Sequence, residues 1–186
     1  MASFLALLAL FPSPAAVHRL ATQLFDQGQL HQAAMLTQSA VQLYERRFGP
    51  SSLETGLLLR DLAKAYRAEG SLPRAESVER REIEILRVRL GEDDANMALA
   101  LDELAEILIA QGRFTEAGRT LRRAAGKLDS RNPHLATILN DLGAVCYHDR
   151  RSKEAARMFQ QSLEIRETGA ARANLEVIER TVASRK

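Results

Sequence analysis

Residues 58–86 read LLRDLAKAYRAEGSLPRAESVERREIEIL, and this stretch decides the fold. Its apolar residues fall at Leu58, Leu59, Leu62, Ala63 and Tyr66, then beyond Gly70 at Ala75, Val78, Ile83 and Leu86. That is the spacing of one helix face and not the alternation of a strand. Gly70 divides the stretch into two helices, because glycine takes the left-handed conformation that ends a helix without steric cost. The layout recurs. Leu62-Ala63, Gly70 and Ala75 are preceded 42 residues earlier by Leu20-Ala21, Gly28 and Ala33, and followed 42 residues later by Leu104-Ala105, Gly112 and Ala117. A fourth copy comes 38 residues further on, at Leu142-Gly143 and Ala155. A fixed period in this range means stacked supersecondary units that bury their apolar faces against neighbours.

Small residues at Ala21, Ala63, Ala105 and Gly143, and at Ala33, Ala75, Ala117 and Ala155, predict close approach of the two helices in each pair. Helix starts are marked separately. Ser51 to Glu54 reads as a capping box, while Asn132-Pro133 and Ser13-Pro14 each place a capping residue before a proline at the first helical position. Connectors at Phe48-Gly49-Pro50 and at Leu90 to Asp93 keep the 42-residue register, and the third, Asp129 to Pro133, is trimmed.

The Leu-Ala or Leu-Gly pair, the glycine that follows it, the Glu116-Ala117 and Glu154-Ala155 pairs and the ending Ser162 to Glu167 together resemble the tetratricopeptide repeat, in the 42-residue form of kinesin light chains and many bacterial scaffold proteins. The resemblance covers roughly residues 14–168. It implies an all-α fold, a right-handed α-solenoid of four helix-turn-helix repeats over about 13–50, 51–92, 93–131 and 132–169. Residues 170–186 form a C-terminal capping helix, on the stripe Leu175, Ile178 and Val182. Three positions depart from the family pattern. Glu79 and Glu82 stand where an aromatic and an alanine are usual, so the second helix of repeat two is expected to pack less tightly, and Arg150 replaces the turn glycine of repeat four.

Composition narrows the function. The chain has 186 residues, 46% hydrophobic and 27% charged, with a net charge of +2. That suits one domain, and a balance so near neutral gives no polyanionic partner by itself. A single cysteine excludes an intrachain disulfide, and Cys146 falls beside Leu142 and Val145 on an apolar face as an inert, buried thiol. His18, His31, His134 and His148 show neither the spacing nor the cysteine company of a metal site. A glycine-rich phosphate loop, a Gly-x-Ser-x-Gly elbow and a His-Glu-x-x-His helix are all missing from the sequence. Glu92-Asp93-Asp94 and Asp102-Glu103 read as a solvated loop and a helix surface. The expectation is a non-enzymatic chain with no cofactor and no metal.

Surface shape is what remains. In the family resembled, first helices line the concave face and hold partner peptides. By position, the groove residues are then His18, Thr22 and Phe25 from repeat one, and Arg60, Lys64 and Arg67 from repeat two. Repeat three supplies Asp102, Glu106 and Ile109, and repeat four Asn140, Ala144, Tyr147 and His148. Arg60, Lys64 and Arg67 share one helical face, as do Asp102, Glu106 and Ile109. A basic stripe beside an acidic one gives two readings: a groove for a partner segment of mixed charge, or stripes that pair with each other. The resulting expectation is a protein-interaction scaffold, monomeric or weakly self-associating, with a partner protein or peptide of unknown identity. The alternative class is nucleic-acid or anionic-surface binding through the arginines of the second helices, such as Arg80-Arg81 and Arg122-Arg123. Interleaved glutamates and 5% aromatics with no Trp argue against it.

Residues 1–12 carry the apolar run Ser3 to Phe11, too short to span a bilayer as a helix. With Ser13-Pro14-Ala15 as a small-residue cleavage site before Ala16, the segment resembles a secretory signal, although no Lys or Arg precedes Arg19. The other reading is an apolar cap on repeat one. Export is placed ahead of a cytoplasmic location. N-terminal sequencing of protein from its native host separates the two: a chain starting near Ala16 is the exported form, and an intact Met1 or Ala2 removes the export reading.

Overall fold

The structure, a computed structural model, describes residues 13–166 and 169–183. Both readings of residues 1–12, and the side chain of Val182 in the capping stripe, lie outside the described residues. The described residues form helices and no strand: α1 (Pro14–Asp26), α2 (Leu30–Phe48), α3 (Leu53–Ala68), α4 (Leu72–Arg89), α5 (Ala95–Ala110), α6 (Phe114–Ala125), α7 (Pro133–His148), α8 (Ser152–Ile165) and α9 (Gly169–Ala183). They fall into two compact units, Met1–Glu92 and Asp93–Lys186. Each unit contains two consecutive helix hairpins, and the second also holds α9.

The turn inside each hairpin closes the same way. Backbone N–H groups of Gln29, Ser71, Arg113 and Arg151 donate to the carbonyls of Leu24, Tyr66, Leu108 and Cys146 at 2.8–2.9 Å. Each bond spans five residues and satisfies a carbonyl left open at a helix end. The residue before each donor is left-handed: φ is 75° at Gly28, 86° at Gly70 and 75° at Gly112. Arg150 adopts the same conformation, with φ 60°. The turn geometry therefore survives the loss of the glycine, at the steric cost of a Cβ in the left-handed region.

In the first unit, α1 and α2 bury Val17, Ala21, Ala33, Ala34, Leu36 and Ala40. Ser52 begins α3, its hydroxyl accepting the Thr55 N–H at 3.1 Å. The cap thus sits one residue later than the Ser51 box expected from sequence, and the Ser51 carbonyl instead accepts from Arg89 Nε at 2.7 Å. Three helices are tied together at Tyr66. Its hydroxyl donates to Gln38 Oε1 at 3.1 Å and accepts from Arg74 at 2.7 Å, and that guanidinium lies 4.0 Å from the ring centre.

Helix α4 differs from its sequence reading. Its buried stripe is Ala75, Glu79, Glu82, Ile85 and Leu86, while Val78 and Ile83, expected in the core, are only half-buried. Steps of four and three residues from Ala75 pass through positions 79, 82 and 86, so the helix turns that face inward together with its two glutamates. Both are fully enclosed. Arg60 of α3 answers Glu82, with Nε 2.9 Å and Nη2 2.7 Å from Oε1. The second helix of repeat two is closed by charge where the family uses apolar side chains.

In the second unit, Asn132 caps α7 by accepting the His134 N–H at 2.9 Å, and Ser162 Oγ donates to the Ala136 carbonyl at 2.6 Å. Cys146 is fully buried with Ala155, Phe159 and Ile178 of α9, and Leu175 packs against the same cluster. Burial pushes its thiol up, consistent with an inert packing group. Gly143 sets the helix spacing here, because a Cβ at that position would come within 2.6 Å of the buried Phe159 ring.

Two glycine exchanges should move stability in opposite directions. Gly143→Ala overpacks against Phe159 and should lose about 1–2 kcal/mol in urea unfolding, despite alanine's better helix propensity. Arg150→Gly relieves the left-handed arginine and should gain about 0.5–1 kcal/mol.

Candidate functional site

On the first unit, α1 and α3 lie side by side and are joined by His18 Nε2 and Asp61 Oδ2 at 2.9 Å. Next to that bond is a hollow of about 80 Å³, lined by His18, Thr22, Phe25, Asp61 and Lys64 over a floor of Ala21, Thr37 and Ala65. The small floor residues create it. Thr37 turns its hydroxyl back to the Ala33 carbonyl at 2.8 Å, which satisfies its polar group within α2, and Phe25 remains 37% exposed at the rim. Four groove residues expected from sequence, His18, Thr22, Phe25 and Lys64, converge here. Asp61 was missed, since it falls one residue past the repeat equivalent of His18 and only side-by-side packing brings it opposite.

Arg60 does not belong with them. Its side chain is 16% exposed and is spent on Glu82, which is fully buried. The expectation of an open basic stripe at Arg60, Lys64 and Arg67 is corrected at its first member, because an enclosed carboxylate requires a cation more than the surface does. Arg67 is half-buried.

On the second unit, Asp102 is 4% exposed, which corrects its reading as a helix-surface acid. Its Oδ2 lies 3.1 Å from His134 Nε2. Asp102, Glu106 and Asp141 each bring a carboxylate oxygen within 4.8 Å of the others. Burial pushes the Asp141 carboxyl up and holds His134 down, so the packing here disfavours charge on both. Hard-cation chemistry asks for such oxygens, and the His134 imidazole lies against the same Asp102 carboxylate.

The remaining groove positions spread apart in role. Asn140 Oδ1 accepts from Asn174 of α9 at 3.0 Å, and its amide donates to Asp141 at 3.1 Å; it anchors the terminal helix. His148 stacks on Phe114 with ring centres 3.5 Å apart, and both line an open hollow of about 310 Å³ at the α5–α6 turn. Tyr147 is 37% exposed, Ala144 is exposed, and Glu106 and Ile109 are half-buried.

Several arginines on or beside the second helices sit in ion pairs. Arg80 meets Glu76 at 2.7 Å, Arg81 meets Glu45 at 2.6 Å, and Arg87 meets Glu84 at 2.7 Å. In the second unit Arg122 and Arg151 both reach Glu154. Phosphate binding would have to compete with those carboxylates, so the nucleic-acid reading gains no support.

The sequence matches the tetratricopeptide repeat family over residues 13–88 and 94–168. No curated protein sequence matches it. Among solved structures, the chain is similar to the nearly identical TPR-like repeats of a protein assigned as a kinesin light chain in Podosopora anserina, at 19% identity and TM-score 0.78, over 94% of this chain and 90% of that one. It is also similar to BtubC from P. vanneervenii, at 19% identity and TM-score 0.78, over 90% of this chain and 72% of that one. A third likeness is to pilF of Pseudomonas aeruginosa, at 20% identity and TM-score 0.71, over 92% and 69%. At these identities the likeness is one of fold.

The reassignment of Arg60 is testable. Arg60→Ala leaves the Glu82 carboxylate enclosed without its guanidinium and should cost about 3 kcal/mol of unfolding free energy, read by chemical denaturation. Glu82→Gln in the same background should recover part of that loss.

Proposed function

The chain belongs to the tetratricopeptide repeat family, an all-α solenoid fold that serves protein–protein interaction, and from that premise we propose that it is a non-enzymatic scaffold holding a partner segment on its first-helix face. One observation carries the reading. His18, Thr22, Phe25 and Lys64, placed there by repeat position alone, line a common hollow with Asp61 between α1 and α3. The hollow combines an apolar floor with polar groups at its rim, the composition that holds a side chain and fixes its direction.

Support also comes from what the rest of the surface is doing. The paired arginines hold the second helices' charges in short-range ion pairs, within α4 at Arg80–Glu76 and Arg87–Glu84 and between α4 and α2 at Arg81–Glu45. Asn140 is committed to α9. The first-helix face of the first unit, by contrast, keeps the exposed side chains of Thr22 and Phe25 around a concave hollow. The proposed partner is a protein segment, and its contacts centre on Phe25 and Thr22 and extend to Lys64.

Site-specific photocrosslinking in the native host tests this. With a benzophenone amino acid at Phe25 a discrete partner adduct should form, whereas the same group at Val88, which is 62% exposed on α4, should give none. Adducts from Val88 and not from Phe25 would put the binding surface on the second helices instead.

A further inference from the structure

The hollow beside Phe25 is one of two in the same seam. A second, of about 220 Å³, is lined by His18, Tyr44, Glu54, Leu57, Leu58 and Asp61. His18 and Asp61 line both, so their 2.9 Å bond acts as a bar across one groove between α1 and α3. Leu57 is 44% exposed, and with Tyr44 it gives the second hollow an apolar wall. The two ends differ in charge: Glu54 borders the second hollow and Lys64 the first.

The distance between the hollows can be read from the helices that wall them. At a rise of about 1.5 Å per residue, the residues lining each hollow are centred about 9 Å apart along α3 and about 5 Å apart along α1. Two residues of an extended chain cover about 6.6 Å, and side chains two apart point to the same face. Three residues cover about 10 Å and reverse the face. A helical ligand, about 10–12 Å across with its side chains, is too broad for a seam bridged by a single side-chain bond. It also keeps its backbone donors to itself.

We propose that this seam binds a β-extended segment of a partner protein with two apolar side chains separated by one residue, one entering each hollow. The intervening residue crosses the His18–Asp61 bar. Its side chain points away from the seam, and its backbone faces the helices on either side, where the Asp61 carboxylate accepts an amide N–H. Asp61 remains 46% exposed, and a carboxylate has acceptor capacity beyond its bond to the imidazole. Charge sets direction. The segment carries a basic residue beside the side chain that meets Glu54 and an acidic residue beside the one that meets Lys64, which excludes the reversed polarity. This recognition rule rests on the first-helix face being the binding surface.

A displayed random dodecapeptide library, panned on the full chain, tests the rule without a known ligand. Binders are rescreened on Thr22→Phe, which fills the first hollow, and on Leu57→Glu, which puts a carboxylate into the second. Both positions are exposed, and circular dichroism checks that helicity is retained. The expected result is a set of peptides weakened at least about tenfold by each variant (about 1.4 kcal/mol), enriched in apolar-x-apolar with the stated flanking charges. Variant-sensitive peptides with spacings of three or four, or with a single apolar anchor, would overturn the spacing rule and leave the surface assignment standing. If no peptide responds to either variant, the rule fails; the surface assignment fails with it only if crosslinking from Phe25 is also silent.

Discussion

Close approach of paired helices is the constraint on which the structure depends, and it is enforced by what the side chains lack. Ala33, Ala75, Ala117 and Ala155 are all fully buried, each at the same place in the second helix of its hairpin. The first helices carry small buried residues too, at Ala21, Ala63, Ala105 and Gly143. With one side-chain carbon or none at these places, larger neighbours can pack close to the backbone. Phe159 over Gly143 is the extreme case, since the ring occupies the space a Cβ would need. Because repeat stacking makes stability a sum of nearest-neighbour interfaces, a fault at one such contact is felt by its own hairpin first. It also sets where the first-helix side chains stand, and so whether a hollow can form between α1 and α3.

The parts of the fold that were legible in the sequence are those in which one residue type has one physical use. Glycine at 28, 70 and 112 marks a left-handed turn because few other residues go there, and Asn132-Pro133 marks a helix start because proline needs no donor at that position. Helix α4 was harder to read. Its inner face carries Glu79 and Glu82, and a hydropathy pattern assigns glutamate outward, so it puts Val78 and Ile83 in the core when they are flanks. The information that resolves it lies on another helix: Arg60 supplies the charge that lets Glu82 be buried. The same fact removes Arg60 from the groove. Pairings between distant residues have no periodic signature, and for that reason site reading from sequence placed His18, Thr22, Phe25 and Lys64 together but missed Asp61.

Charge in this protein does its work locally. The chain is close to neutral, yet its ions are arranged in short-range pairs, some local to one helix, such as Arg113 with Glu116 at 2.6 Å, and others joining neighbouring hairpins, such as Arg81 with Glu45 at 2.6 Å. Exposed pairs of this kind add about 0–1 kcal/mol each. Their larger effect is to cancel the field that clustered arginines would otherwise project, which a scaffold needs if it is to avoid indiscriminate anionic ligands. On the α5–α7 face of the second unit burial acts beside these pairs, pushing the Asp141 carboxyl up and holding the His134 imidazole down.

A scaffold of this type binds well to the extent that its surface is already in place before the partner arrives. Ordering side chains on binding costs about 0.5–1.5 kcal/mol each, and the seam between α1 and α3 limits that cost. Its floor residues, Ala21, Thr37 and Ala65, are buried and have little freedom to lose, while the His18–Asp61 bond fixes the two polar side chains between the hollows. The partner's own entropy is the larger remaining term, and an extended segment loses most of it at its anchors. In the proposed binding mode, two anchors set in pockets a short way apart, with a polar bar between them, would give register as well as affinity, because a slip by one residue would point both apolar side chains away from the seam.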